Sequence, residues 1–237
     1  MITSVDNKRI KEVSKLNNRK YRKEMGLFLV EGSHLVEEAY KHNLIVETYS
    51  LDENDYPNNN VVSENVMRKI SSLDTVPNIV GVCKFKEEKE LGNKLLILDG
   101  IQDPGNLGTI IRSAVAFNVD TIVLSKDTVD LYNSKVIRAT QGMIFNINII
   151  IRDLYSFVSK LKKENYKIYS TNVVNGSEVK SIERCEKCAI IMGNEGNGVR
   201  KELQDISDAN IYIKMNPLCE SLNVGVATSI ILYELYK

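Results

Sequence analysis

The residues able to do chemistry sit where polar or permissive side chains interrupt apolar stretches. They are Asn106 and Arg112 in DPGNLGTIIRSAVAF, Gly193 and Glu195 in IIMGNEGNGV, and Ser221 and Asn223 in IKMNPLCESLNVGVA. Arginine carries a fixed positive charge with five donors, while Asn and Ser can orient a hydroxyl by hydrogen bonding. The glycines of GNEGNG allow a backbone to approach a ligand closely. Glu195 argues against a phosphate cradle, because carboxylate and phosphate repel, and suits orienting another polar group. Each residue also has a plainer explanation. Asn106 stands where a helix N-cap would, Ser221 can cap the closing helix, and GNEGNG can be an ordinary strand-to-helix turn. Arg112, six residues into a helix of Ile110, Ile111, Ala114, Val115 and Phe117, is either a structural ion pair or a functional group.

Other chemistries lack their residues. Gly105-Asn106-Leu107-Gly108 does not satisfy G-x-G-x-x-G and no G-x-x-x-x-G-K-[ST] occurs, which disfavours a nucleotide-cofactor oxidoreductase or a P-loop NTPase. Two histidines (His34 and His42) are too few for a Ser/His/Asp or Cys/His set. Cys185-Glu186-Lys187-Cys188 lacks two further zinc ligands nearby and precedes a strand, so neither metal nor redox chemistry is expected there.

These residues need elements to place them. After a first helix through Val5, Val13 and Leu16 and a polar turn at Asn17-Asn18, the pattern reads strand 27–30, helix 34–42 and strand 45–50. A loop through Pro57-Asn58-Asn59-Asn60, a helix capped by Ser63 through Ile70, and strand 79–85 follow. The charged run KEEKELGNK (86–94) has no apolar periodicity and marks a boundary: residues 1–86, a linker at 87–94, and residues 95–237. Beyond it the pattern predicts strands at 94–100, 121–125, 145–151, 167–171, 188–193 and 210–215. Helices fall at 106–117, 154–164, 199–206 and 222–236. Such alternation predicts an α/β fold with a parallel sheet covered on both faces. Ligands bind at the carboxyl ends of such strands, where the loops 99–108, 193–198 and 215–223 fall.

Composition bounds the class. The 237 residues are 43% hydrophobic, enough for a packed core, and no apolar run reaches the roughly 18 residues of a membrane span. No signal-peptide pattern opens the chain, so it reads as cytoplasmic with its four cysteines reduced. Net charge is zero, with 31 cations against 31 acids. Locally, though, Lys8, Arg9, Lys11, Lys15, Arg19, Lys20, Arg22 and Lys23 face one acid, Glu12. This stretch is either a solvated face or a phosphate-binding surface for RNA.

Together the three motifs resemble those of the SpoU (TrmH-type) RNA ribose 2′-O-methyltransferases of the SPOUT superfamily, in order and in separation, over about residues 95–237. Residues 1–86 are similar to the smaller L30e-like substrate-binding domain of many members, with Glu31-Gly32 and the following helix fitting. The resemblance implies a C-terminal domain knotted as a deep trefoil, S-adenosylmethionine in the knot, no metal, and a homodimer with its active site at or near the subunit interface. It further implies that Arg112 activates the ribose hydroxyl, as base or as electrostatic stabiliser. Asn106, Ser221 and Asn223 would position ribose and Arg112, and Glu195 would fix the loops. Gly193, Ile213 and Leu222 would meet the cofactor through backbone, with Met215 and Val224 packing nearby and Thr171 at the same pocket. Two departures stand out: Lys214 where members carry Pro, and Asn216-Pro217-Leu218-Cys219-Glu220 where they carry a Gly. The implied reaction is methylation of a ribose 2′-hydroxyl in RNA, with 23S ribosomal RNA the expected substrate. Transfer RNA, or a non-catalytic RNA-binding module of the same fold, are the alternatives.

Overall fold

The computed structural model describes residues 1–173, 176–183 and 185–236. Two compact units emerge, Met1–Glu87 with Asp130–Phe145, and Glu88–Val129 with Asn146–Lys237.

In the first unit, α1 (Lys8–Ser14) is capped by Asn7, whose side chain accepts from the Arg9 and Ile10 amides. Its apolar residues Ile10 and Val13 enter a core with Leu16, Tyr49, Val66, Met67 and Ile70. The polar turn at Asn17-Asn18 starts a further helix, α2 (Arg19–Met25), because Asn18 caps it. That run of cations without apolar spacing gave no helix signal in the sequence. Then follow β1 (Leu27–Glu31), α3 (Ser33–Lys41), β2 (Ile45–Ser50), β3 (Asn59–Val61), α4 (Glu64–Ile70) and β4 (Ile79–Lys84). The sheet order is β1-β4-β2-β3, with β4 antiparallel to both neighbours and β3 parallel to β2. Asn59-Asn60 was expected in a loop. It pairs as a strand because Asn59 Oδ1 accepts from the Thr48 and Ser50 hydroxyls (3.1 and 2.8 Å) and the Asn60 amide donates to the Thr48 carbonyl (3.3 Å).

The second unit begins with β5 (Lys94–Leu98), α5 (Pro104–Ala116) and β6 (Thr121–Ser125). Next comes α6 (Ser134–Thr140), which belongs to the first unit. There its Arg138 reaches the buried Glu31 carboxylate at 3.0 Å. The second unit resumes with β7 (Asn148–Arg152), α7 (Leu154–Lys163), β8 (Lys167–Thr171), β9 (Ser177–Glu178), β10 (Cys188–Met192), α8 (Lys201–Ile206), β11 (Ala209–Tyr212) and α9 (Val224–Tyr236). The strands form one sheet in the order β7-β6-β5-β10-β8-β11-β9, every pair parallel. This is the parallel α/β architecture that the alternation predicts. β5, β6 and β10 are buried along their length or nearly so, as strands covered on both faces must be. Among the described residues no helix is long and apolar enough to cross a membrane, and all four cysteines are free thiols.

Candidate active site

Because β5, β10, β8 and β11 are parallel neighbours, their carboxyl ends deliver four segments side by side. These are Asp99–Asp103, Gly193–Arg200, the end of β8 at Thr171, and Ile213–Asn223. A cavity of about 630 Å³ opens there, in the size range of small-molecule sites. Its walls include Thr171, Gly193, Ile213, Met215, Leu222 and Val224, all six residues named for the cofactor, together with Glu195, Ser221 and Asn223.

The GNEGNG loop is a tight hairpin. Asn194 and Gly198 exchange backbone hydrogen bonds of 3.1 and 3.0 Å. A side-chain carbon on Gly193 would lie 2.1 Å from the Gly198 carbonyl carbon and the Val199 nitrogen, so only glycine fits. The Asn194 side chain accepts from the Gly196 and Asn197 amides and donates to the Gly100 carbonyl at 2.7 Å, tying this loop to the one after β5. A second tie is the buried Asp99, which accepts from the Arg200 amide (2.9 Å) and its Nε (2.7 Å).

Glu195, Asn106 and Asn223 form a directed chain across all three motifs. Asn223 Oδ1 accepts from the Gly225 and Val226 amides (2.9 and 3.2 Å), which turns its amide nitrogen toward Asn106 Oδ1 at 2.9 Å. Asn106 in turn donates to Glu195 Oε1 at 3.0 Å, and the Gln102 and Asp103 amides donate to the same carboxylate at 3.2 Å each. Burial works to raise the Glu195 pKa. The hydrogen bond from Asn106 and those from the backbone outweigh it and hold the carboxyl below its usual range.

Several sequence expectations change here. The cap of α5 is Asp103, which accepts from the Asn106 amide at 2.8 Å with Pro104 at the first helical position. Asn106 is therefore free to use its side chain elsewhere. The cap of α9 is Asn223 and not Ser221, which is exposed on the cavity wall. Arg112 is exposed and, among the described residues, has no ion pair or hydrogen bond, so the structural alternative fails for it. It does not line the cavity. It follows Thr109, which packs at Gly225, and precedes Ser113, bonded to Ser229 at 2.7 Å, so it borders the α5–α9 contact. Thr171 lines the cavity while its hydroxyl donates to the Ile191 carbonyl at 3.0 Å. Asp99, Arg200 and Asn194 escaped the sequence reading. An acid closing an apolar strand was the available signal for Asp99.

The basic stretch divides. Arg22 is a correction: it is buried, paired with Asp130 at 2.5 Å and bonded to the Leu16 carbonyl at 2.7 Å, and so cannot reach RNA. Arg9 is largely consumed by Glu47 (2.6 Å) and Glu12 (3.2 Å). Lys11 meets Asp6 at 2.7 Å, and Lys15 and Lys20 lie over the Tyr21 ring. Lys8, Arg19 and Lys23 are exposed. Among the described residues no group of three or more His, Cys, Asp or Glu could hold a metal ion.

Comparison with known proteins adds the relatives. Residues 93–233 match the SpoU rRNA methylase family, and residues 7–81 match the MRM3-like substrate-binding domain. The chain is 39% identical to the 23S rRNA (guanosine(2553)-2′-O)-methyltransferase RlmP of Bacillus subtilis, over 99% of this chain and 98% of that protein. Among solved structures, an AdoMet-bound rRNA methyltransferase from Sinorhizobium meliloti superposes with TM-score 0.87 at 27% identity, covering 98% of this chain and 95% of that one. An RNA 2′-O ribose methyltransferase superposes with TM-score 0.82 at 27% identity, covering 98% and 96%.

Proposed function

The chain belongs to the SpoU rRNA methylase family, and we propose that it transfers the methyl group of S-adenosylmethionine to a ribose 2′-hydroxyl of 23S ribosomal RNA. The observation that carries this reading is the cavity at the strand ends, on whose walls all six residues named for the cofactor meet. The ribosomal substrate rests on the Bacillus relative, whose likeness spans both chains almost entirely.

The residues fit the cofactor by shape and by donor type. The Gly193–Gly198 hairpin leaves no room for a side-chain carbon on its inner edge, so backbone groups come to the cavity surface. Leu222, Ile213, Met215 and Val224 supply apolar wall and main-chain groups. When bound, S-adenosylmethionine supplies an electrophilic methyl on a sulfonium. The chain's own work is to orient a weak nucleophile and stabilise the charge it develops. Asn106 and Asn223 each retain one amide hydrogen beyond the Glu195–Asn106–Asn223 chain, and Ser221 presents a hydroxyl. These are the groups that position the ribose. Arg112 brings a fixed cationic guanidinium and acts as an electrostatic stabiliser of the developing alkoxide.

The same reading assigns residues 1–86 to RNA binding and residues 95–237 to catalysis, with a trefoil knot in the latter. It also includes a homodimer. α9 is strongly apolar, with Glu234 its one charged residue, and Val226 and Tyr233 remain 48% and 51% exposed, a pattern that calls for a covering surface. A partner over α5 and α9 would adjoin Arg112, which explains why that residue lies outside its own chain's cavity lining. Calorimetry with S-adenosylmethionine tests the enzyme reading, and labelled transfer to purified 23S RNA tests the substrate. Absence of cofactor binding favours the non-catalytic module, and label confined to transfer RNA favours the alternative substrate.

A further inference from the structure

The cations of the first unit are not spread evenly. On α1 and the 3-10 turn that continues it, Ile10 and Val13 face the core, leaving Lys8, Lys11 and, just past the helix, Lys15 on one outward stripe at i, i+3 and i+7. On α4, Val66, Met67 and Ile70 are buried, leaving Asn65, Arg68 and Lys69 outside. The two helices pack together, and between them lies a cleft of about 630 Å³ walled by Lys11, Lys15, Arg68 and Lys69. Asp6 is the one carboxylate in that wall. It pairs with Lys11 at 2.7 Å, and its carboxyl is held below the usual range by Lys11 first and also by the charge of Lys69. Arg68 is bridged to Glu64 at 2.8 Å. Even counting Glu64, four cations meet two carboxylates, in a chain whose total charge is zero.

We infer that this α1–α4 cleft binds the phosphodiester backbone of the RNA substrate, an inference that rests on the RNA-methyltransferase reading. The row from Lys8 to Lys15 is about 10 Å long, the axial length of roughly three phosphates on one strand of a duplex. A single phosphate or free nucleotide would use only part of it. Two of the four cations, Arg68 and Lys69, come from residues far from the basic stretch in sequence. Arg9 and Arg22 of that stretch, by contrast, are spent on Glu47 and Asp130. Four cations in one cleft suit phosphates, the contacts that position RNA on a protein.

The test measures binding of 23S rRNA across a series of salt concentrations for the wild type, Lys15→Ala/Lys69→Ala, and a matched control, Lys163→Ala/Lys180→Ala, on exposed sites of the second unit. Losing two phosphate contacts should reduce the logarithmic salt slope by about 1.4–1.8 and weaken binding about 15–30-fold near 0.15 M salt. The control should follow the wild type, and circular dichroism melts should coincide for all three. Coincident slopes for the cleft variant and the wild type, or an equal loss in the control, overturn the inference. Methyl transfer measured on the same preparations separates the two claims. A wild type that methylates 23S rRNA while the slopes coincide removes only the cleft. A cleft-dependent slope without any transfer removes only the enzyme reading. No binding of RNA by the wild type removes both.

Discussion

Two alanine substitutions in one hexapeptide should have opposite consequences. A side-chain carbon at Gly193 would sit 2.1 Å from two backbone atoms across the hairpin and 2.5 Å from the Gly198 carbonyl oxygen. Backbone cannot rotate aside, so the hairpin must part by about 1 Å or more to restore ordinary contact. That opening breaks the two Asn194–Gly198 hydrogen bonds, about 1 kcal/mol each, and a 2 kcal/mol loss corresponds to roughly 30-fold in affinity. At Gly196 the same carbon would have only the Asn194 side-chain oxygen nearby, at 3.5 Å, an ordinary contact. Calorimetry should therefore find S-adenosylmethionine bound about 30-fold or more weakly by Gly193→Ala, and within about twofold of wild type by Gly196→Ala. Circular dichroism melts should show both variants folded, since β10 is buried along its length ahead of the loop. Equal affinities for the two variants would refute the assignment of this hairpin as the cofactor cradle.

Arg112→Ala should lower methyl transfer by about 10²–10³, the range for removing one transition-state donor, while melting and cofactor affinity stay put because the residue is exposed and unpaired. A protein that unfolds instead would return Arg112 to a structural role. Asn223→Asp keeps an acceptor for the Gly225 and Val226 amides but loses the donor to Asn106. Its melting point should hold while transfer falls about tenfold, whereas Asn223→Ala should also cost about 1 kcal/mol of stability. Arg22→Ala should destabilise by about 3 kcal/mol or more in urea unfolding, because it strands the Asp130 carboxylate and the Leu16 carbonyl. Lys23→Ala next to it should stay within about 0.5 kcal/mol. The Glu195 pKa is lowered in the folded protein, so its contribution is complete above the ordinary glutamate value of about 4.3 and fades as pH falls below it. Cofactor affinity should show that acid limb, and Glu195→Gln should flatten it.

The residues of the cavity wall were legible through the resemblance, because most of them fall in three short runs whose order and separation match the SpoU motifs. Gly193 and Leu222 need only their own neighbours to be recognised. What escaped depends on partners far along the chain. Asp99 and Arg200 are 101 residues apart, and nothing local says that an acid closing a strand will meet an arginine opening a helix. The caps were displaced by a few residues for a different reason. In Asp103-Pro104 the proline marks the first helical turn, so the acid before it is the cap, and Asn106 was credited with a role its neighbour holds. Ser221 and Asn223 were likewise exchanged, and the same Asn caps the helix and holds Asn106. Arg22 and Lys23 are indistinguishable by charge pattern, but only Arg22 faces Asp130. The helix at Ser134–Thr140 is short and mixed in polarity, and its Arg138 pairs with Glu31, 107 residues away in the chain.

The central claim is that this chain methylates a ribose of 23S ribosomal RNA. The most direct measurement maps 2′-O-methylation across 23S RNA from cells with and without the gene, and again after complementation with Arg112→Ala. One ribose should be methylated in the wild type, unmethylated in the deletion, and still unmethylated with the variant. An unchanged 2′-O-methylation map, or a lost methyl that sits on a base, would contradict that claim.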